Sequence, residues 1–183
     1  YKKNKTPLMV HENFRWQSPL QKLKEVIKKE KLIKPHYAKI SFRHANPVGY
    51  TNQTYLYDLN EYLTLDVGIH LFDLSRFFMG EALSIYTVNQ NTNPKFKGET
   101  DFISIIRNVN KSITIVDASI SSIKQPDRFA QTLINLEFSN GSIDLDYNYK
   151  ITLHKNKKKK IYDGKPKKYK WISKPWDQIQ ESV

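Results

Sequence analysis

The stretch Leu65-Asp66-Val67-Gly68-Ile69-His70-Leu71-Phe72-Asp73 decides how this chain is read. It sits in an apolar run from Tyr62 to Met79 that predicts a buried helix, with Gly80 placed to cap its C-terminus. Asp66 and His70 are spaced i, i+4, and Asp73 follows at i+7. At about 100° per residue all three fall on one side of a helix. Ionisable groups on an otherwise apolar helix are costly unless paired or placed at a cavity. An Asp beside a His can hold its tautomer and raise its pKa. That pairing serves acid–base chemistry on a hydroxyl. It is equally the pattern of a structural hydrogen bond. A metal site from Asp66, His70, Asp73 or His44 fits by ligand type, but the spacing lacks the specificity of His-Glu-x-x-His, and no metal is expected.

Outward from this helix the pattern changes. Upstream, Ser18-Pro19 reads as an N-cap followed by proline at the first helical position. Leu20, Leu23 and Ile27 then share one face of an amphipathic helix of about four turns, which Pro35 ends. Pro7 to Glu12 reads as a short extended segment and Tyr37 to Phe42 as a strand. Ala45 to Asn60 reads as a long loop of the functional kind. Downstream the period becomes two. Strands are expected at 83–90, 101–108, 112–119, 130–138 and 142–149, with hairpins at Val109-Asn110-Lys111 and at Ser139-Asn140-Gly141. Short turns between consecutive strands imply a largely antiparallel sheet with the helices over one face, an α+β fold. Ile143, Leu145 and Tyr147 are expected to point outward from it.

Composition narrows the function. The 183 residues, 39% hydrophobic and 13% aromatic, suffice for one folded domain with a core. The absence of cysteine excludes a disulfide scaffold, a thiolate metal site and a cysteine nucleophile. It suits a cytoplasmic protein. No apolar run approaches the roughly 20 residues of a membrane span. The net charge of +12 invites a nucleic-acid reading. But residues 155–170 hold nine Lys and one Asp, a net +8, and the rest of the chain carries only +4. The basicity is one tract, expected as a solvated surface loop. Trp171 and Trp176 suggest that ordered structure resumes beyond it. Aromatics do not interleave with the basic residues, so no nucleic-acid partner is expected.

The segment Asp66-Val-Gly-Ile-His70-Leu-Phe-Asp73, with Arg76-Phe-Phe-Met-Gly80-Glu81 behind it, resembles the Asp-x-Gly-x-His-x-x-Asp stretch and trailing Gly-Glu of the glucose–fructose oxidoreductase/inositol dehydrogenase (Gfo/Idh/MocA) family. Met9-Val-His-Glu-Asn13-Phe-Arg15-Trp resembles that family's crossing from a nucleotide domain into a substrate domain. The helix Pro19–Lys31, the strand Tyr37–Arg43 and Leu136-Glu-Phe-Ser-Asn-Gly141-Ser-Ile agree in order, so the resemblance covers roughly residues 8 to 150. It implies an open sheet like that of the glyceraldehyde-3-phosphate dehydrogenase C-terminal domain. It also implies a separate Rossmann domain holding NAD or NADP. The Gly-x-Gly-x-x-Gly fingerprint and the family's Glu-Lys-Pro motif are absent from these residues. The chain is therefore expected to be one substrate domain, residues 1–183, with a crossing segment at 1–15 and no activity alone.

Residue by residue, the resemblance makes His70 the general acid/base and Asp66 its acidic partner, with Arg15, Asn13, His44 and Asp73 lining the substrate side. Arg15, Asn13 and His44 read equally well as structural residues. The implied reaction moves a proton from a sugar or polyol hydroxyl to His70 and a hydride to nicotinamide. A homo-oligomer through the sheet face is also implied. The alternative is a non-catalytic sugar-binding or oligomerisation module of the same fold.

Overall fold

A computed structural model describes residues 13–45, 53–123 and 131–165. The extended segment Pro7–Glu12, Trp171 and Trp176 lie outside the described residues, as do positions 46–52 of the long loop. The first helix, α1, spans Ser18–Lys29 and buries Pro19, Leu20, Leu23 and Val26. Its first helical residue is Ser18. Gln17 is the cap, with no side-chain cap bond, and Pro19 holds the first turn. Lys28 and Lys29 in the last turn suit the negative end of the helix dipole. The chain then turns through Lys31 and Lys34, both at positive φ, and enters β1, Pro35–Arg43.

The second helix is not uniform. Thr64–Gly68 is a π-helical turn, and α2 runs from Ile69 to Met79. Its C-terminus is closed by Gly80 at φ 91°, and Asn110 Nδ2 donates to the Met79 carbonyl at 2.8 Å. Six strands complete the sheet up to its basic end: β2 Ala82–Gln90, β3 Asp101–Asn108, β4 Ile113–Ser119, β5 Leu133–Phe138, β6 Gly141–Leu145 and β7 Lys150–Lys155. An eighth, β8, covers Lys158–Asp163. The order is β2-β3-β4-β1-β5-β6-β7-β8. All neighbours pair antiparallel except β1 and β4, which run parallel. This is the expected α+β architecture: an open, mostly antiparallel sheet with its helices on one face.

Three expectations are corrected. The strand 142–149 stops at Leu145, because Asp146 Oδ1 accepts the backbone N–H groups of Asn148 and Lys150 and Tyr149 turns at φ 58°. The lysine tract is no loop as far as it is described. Asn156 and Lys157, at φ 51° and 59°, form the tight turn of the β7–β8 hairpin. Ile151 and Leu153 anchor that hairpin in the core, while the lysines of β8 stay exposed. And Ile143 and Leu145 do not face outward: both are buried under the helices. They lie opposite Leu136 and Ile134 of β5, whose side chains are also core.

The apolar residues of the open face gather at the other end of the sheet. Tyr86, Val88, Ile103, Ile105 and Ile113 are exposed there on β2, β3 and β4, Tyr86 at 68%. Among the described residues no helix is long and apolar enough to cross a membrane.

Candidate active site on the second helix

The core face of the sheet sets the floor of the site. Phe42 of β1 is paired with Ala118 of β4, and Ala118 with Phe102 of β3, so the three form one row. A Cβ on Gly68 would lie 3.1 Å from Cζ of Phe102 and 3.4 Å from Phe72. The small residue therefore lets the first turn of the helix approach this row. The same turn is capped from outside. Glu99 accepts the backbone N–H of Tyr62 at 3.1 Å and of Thr64 at 2.8 Å. Burial pushes the Glu99 carboxyl up, but the hydrogen bonds from Thr64 and Tyr62 outweigh it and hold the group below its ordinary range.

His70 stands on the first turn of α2. Its imidazole lies parallel to the Phe14 ring, centroids 4.0 Å apart and planes 2° from parallel. Phe14 belongs to a short 3₁₀ turn, Phe14–Trp16, whose carbonyl at Asn13 accepts from Trp16 N at 2.9 Å. Burial pushes His70 down to about 4, against the opposing pull of Asp73. The sequence pointed to a raised pKa. The structure reverses the direction because loss of water outweighs the carboxylate. At neutral pH the imidazole is uncharged and able to accept a proton.

Arg15 and Asp73 meet each other. Arg15 Nε donates to one Asp73 oxygen at 2.6 Å and Nη2 to the other. The Arg15 side chain is 31% exposed and Asp73 21%, so this two-pronged clasp is worth about 1 kcal/mol, nearer to a surface pair than to a buried one. Arg15 also lies over the Phe77 ring at 5.3 Å. His44 sits at the end of β1, 1% exposed. Its Nε2 is 3.1 Å from the Gln131 carbonyl, and its ring meets Phe42 edge-on at 4.5 Å. Asp66 lies half-buried in the π-helical turn. Asn13, also half-buried, precedes the 3₁₀ turn.

Thus Phe14, Arg15, His70 and Asp73 form one connected cluster, with His44 reached through Phe42. Phe14 and Glu99 have no part in the sequence reading of the site. An apolar residue in a polar segment, Asn13-Phe14-Arg15, was the only trace of the first. The Glu99 contact joins residues 35 apart and left none.

No group of three His, Asp or Glu among the described residues is placed to hold a metal ion. The close-packed glycines face protein atoms. Gly98 makes room for the backbone at Leu59 and Tyr62, Gly141 for the His154 carbonyl, and Gly68 for phenyl rings. These three positions are therefore packing sites and not a phosphate cradle of the Gly-x-Gly-x-x-Gly kind.

Residues 20–143 match the GFO/IDH/MocA C-terminal domain. The chain belongs to this oxidoreductase family. It is 35% identical over 177 residues to a D-apiose dehydrogenase of Rhizobium rhizogenes, covering 97% of this chain and 51% of that protein. It is 32% identical over 178 residues to a D-apiose dehydrogenase of Paraburkholderia graminis, covering 97% and 47%. Among solved structures, an Agrobacterium radiobacter oxidoreductase in complex with NAD+, L-tartaric acid and magnesium superposes with a TM-score of 0.91. It is 34% identical, with 99% of this chain and 53% of that one covered. The chain spans about half the length of the curated relatives it matches.

Proposed function

We propose that this chain is the substrate-side domain of a NAD(P)-dependent dehydrogenase acting on a sugar or polyol. His70 is the general acid/base and Asp66 its acidic partner. The observation that carries this reading is the His70 imidazole on the first turn of α2, stacked on Phe14 at 4.0 Å and next to the Arg15–Asp73 pair. Neutral imidazole takes the proton of a substrate hydroxyl as the carbon beneath it is oxidised. The hydride acceptor in this reading is a nicotinamide held outside the described residues, NAD or NADP. The domain alone is inactive for that reason. Asn13 and His44 border the substrate, while Arg15 and Asp73, satisfied by each other, close one side of the site.

The relatives called D-apiose dehydrogenase make D-apiose the first sugar to try. The protein is read as cytoplasmic. The exposed apolar end of the open sheet face is read as the contact of a homo-oligomer.

The test uses the full-length protein of the parent gene. Nicotinamide absorbance is followed with D-apiose and a panel of sugars and inositols, for wild type and His70→Ala. A loss of about 100-fold or more in the variant is expected. Turnover unchanged by the substitution overturns the acid–base role. Sugar binding with no turnover on any substrate favours the non-catalytic module.

A further inference from the structure

The turn Phe14–Trp16 is fastened to its surroundings at several points. Phe14 is 3% exposed and lies flat on His70. The ring also leans on Phe42 of β1, centroids 6.4 Å apart and planes at 42°. Along α2 from His70, Asp73 accepts from Nε and Nη2 of Arg15. Gln21 Nε2 donates to the Arg15 carbonyl at 2.6 Å, which ties the same turn to α1. The Phe14 ring is thus placed by the sheet and by both helices, and the imidazole meets a flat surface that is already fixed.

A histidine's second torsion is a broad, shallow well when nothing touches the ring. A parallel aromatic neighbour selects one plane and removes water from one face. We infer that Phe14 is a positioning residue for His70: it sets the plane in which the imidazole meets a substrate hydroxyl and keeps that ring face dry, with Arg15 and Asp73 fastening its segment to α2. The catalytic consequence rests on the reading of His70 as general acid/base; the geometric part does not.

The charged and titratable groups around the imidazole are Asp66 and Asp73 from its own helical run, Arg15 from the 14–16 turn, and His44 beyond Phe42 on β1. Asp73 raises the ring's proton affinity through its charge, and Arg15 is closed upon it. Removing the phenyl ring therefore alters hydration and orientation and leaves these charges in place.

The experiment takes the full-length enzyme with Phe14→Met and Phe14→Leu, two apolar side chains of similar size that lack the flat ring. Two quantities are read: kcat and KM on D-apiose or another accepted sugar, and the His70 titration by NMR of the imidazole. Expected are a fall in kcat of about 10-fold with KM within about 2-fold, and a His70 pKa that rises by at least about one unit toward the ordinary histidine value. A lower melting temperature with kcat and the His70 titration both unchanged overturns the inference, because Phe14 is then only packing. A shifted titration with unchanged kcat upholds the positioning and sinks the general acid/base reading of His70 instead.

Discussion

The Oε1 of Glu99 accepts the backbone N–H of Thr64 at 2.8 Å, so a residue just ahead of β3 closes the open end of the helical run that carries Asp66 and His70. The first amides of a helix have no partner within it. Here an acidic side chain distant in sequence supplies one, and its charge suits the positive end of the helix dipole.

Glu99→Ala is expected to lower stability by about 1–2 kcal/mol, the usual cost of a lost cap. The Glu99 carboxyl is held below its ordinary range, so its contribution is present above about pH 4.5 and is lost as the pH falls further. Denaturant unfolding of wild type and variant at pH 7 and pH 3 checks this: the gap between them should shrink in acid. An equal gap at both pH values refutes the charged cap.

His70 gives the opposite group type but the same direction with pH. Its folded pKa is about 4 against 6.5 unfolded, so the unfolded chain binds more protons between those values. Stability contributed by the neutral, dry imidazole is complete above about pH 6.5 and declines as the pH falls toward 4. The loss is at most about 3.4 kcal/mol, from 1.36 kcal/mol per pKa unit, and less for a ring that is not fully buried. Unfolding of wild type and His70→Gln across pH 4 to 7 measures it. A wild-type curve parallel to that of the variant removes the claim.

Two of the close-packed glycines, Gly98 and Gly68, should respond differently to alanine. At Gly98 a Cβ would stand 2.7 Å from the Leu59 carbonyl and the Tyr62 amide nitrogen, both backbone. Gly98→Ala is expected to cost roughly 1–3 kcal/mol of strain. At Gly68 the Cβ meets phenyl edges at 3.1 to 3.4 Å, and the position has helical dihedrals. The gain of up to about 1 kcal/mol from replacing a helical glycine there offsets most of the crowding. Thermal melts of the two variants rank them; a Gly98→Ala protein as stable as wild type contradicts the packing described.

The apolar corner of the open sheet face makes a further forecast. Tyr86 and Ile105 are paired neighbours on β2 and β3, and Ile115 follows on β4. A single charge here, Ile105→Asp, is expected to leave the fold intact, since Ile105 is 48% exposed, and, under the proposed sheet-face contact, to shift the protein to a smaller species. Sedimentation of the full-length protein at micromolar concentration reads this directly. If the distribution does not change, that corner is not the contact between copies.

Much of the fold was legible in the chain. Period-two alternation in 101–108 gave β3 to the residue, because one of its faces is core and the other is open. Asn140-Gly141 and Gly80 marked turns through backbone preferences that act locally. The run 62–79 announced a buried helix, and the Asp66–His70–Asp73 spacing put its ionisable groups within one region. Where reading failed, the deciding contact was distant. The β7–β8 hairpin was hidden because β8 is an edge strand whose lysines are exposed, and Ile151 and Leu153, with Tyr162 packed against the core, are what commit it. The direction of Ile143 and Leu145 depends on register: a slip of one residue exchanges faces, and only pairing with Ile134 and Leu136 settles it.

By itself the sequence determined the α+β class, the two helices, most strands and the family resemblance that the match over residues 20–143 bears out. Those follow from local periodicity, turn chemistry and residue order. Only the tertiary structure decided which groups meet. It joined Arg15 to Asp73 across 58 residues, laid Phe14 on His70, and turned an expected rise in the histidine pKa into a fall. Burial and ion pairing depend on what packs from elsewhere in the chain, and spacing along one helix carries no information about that.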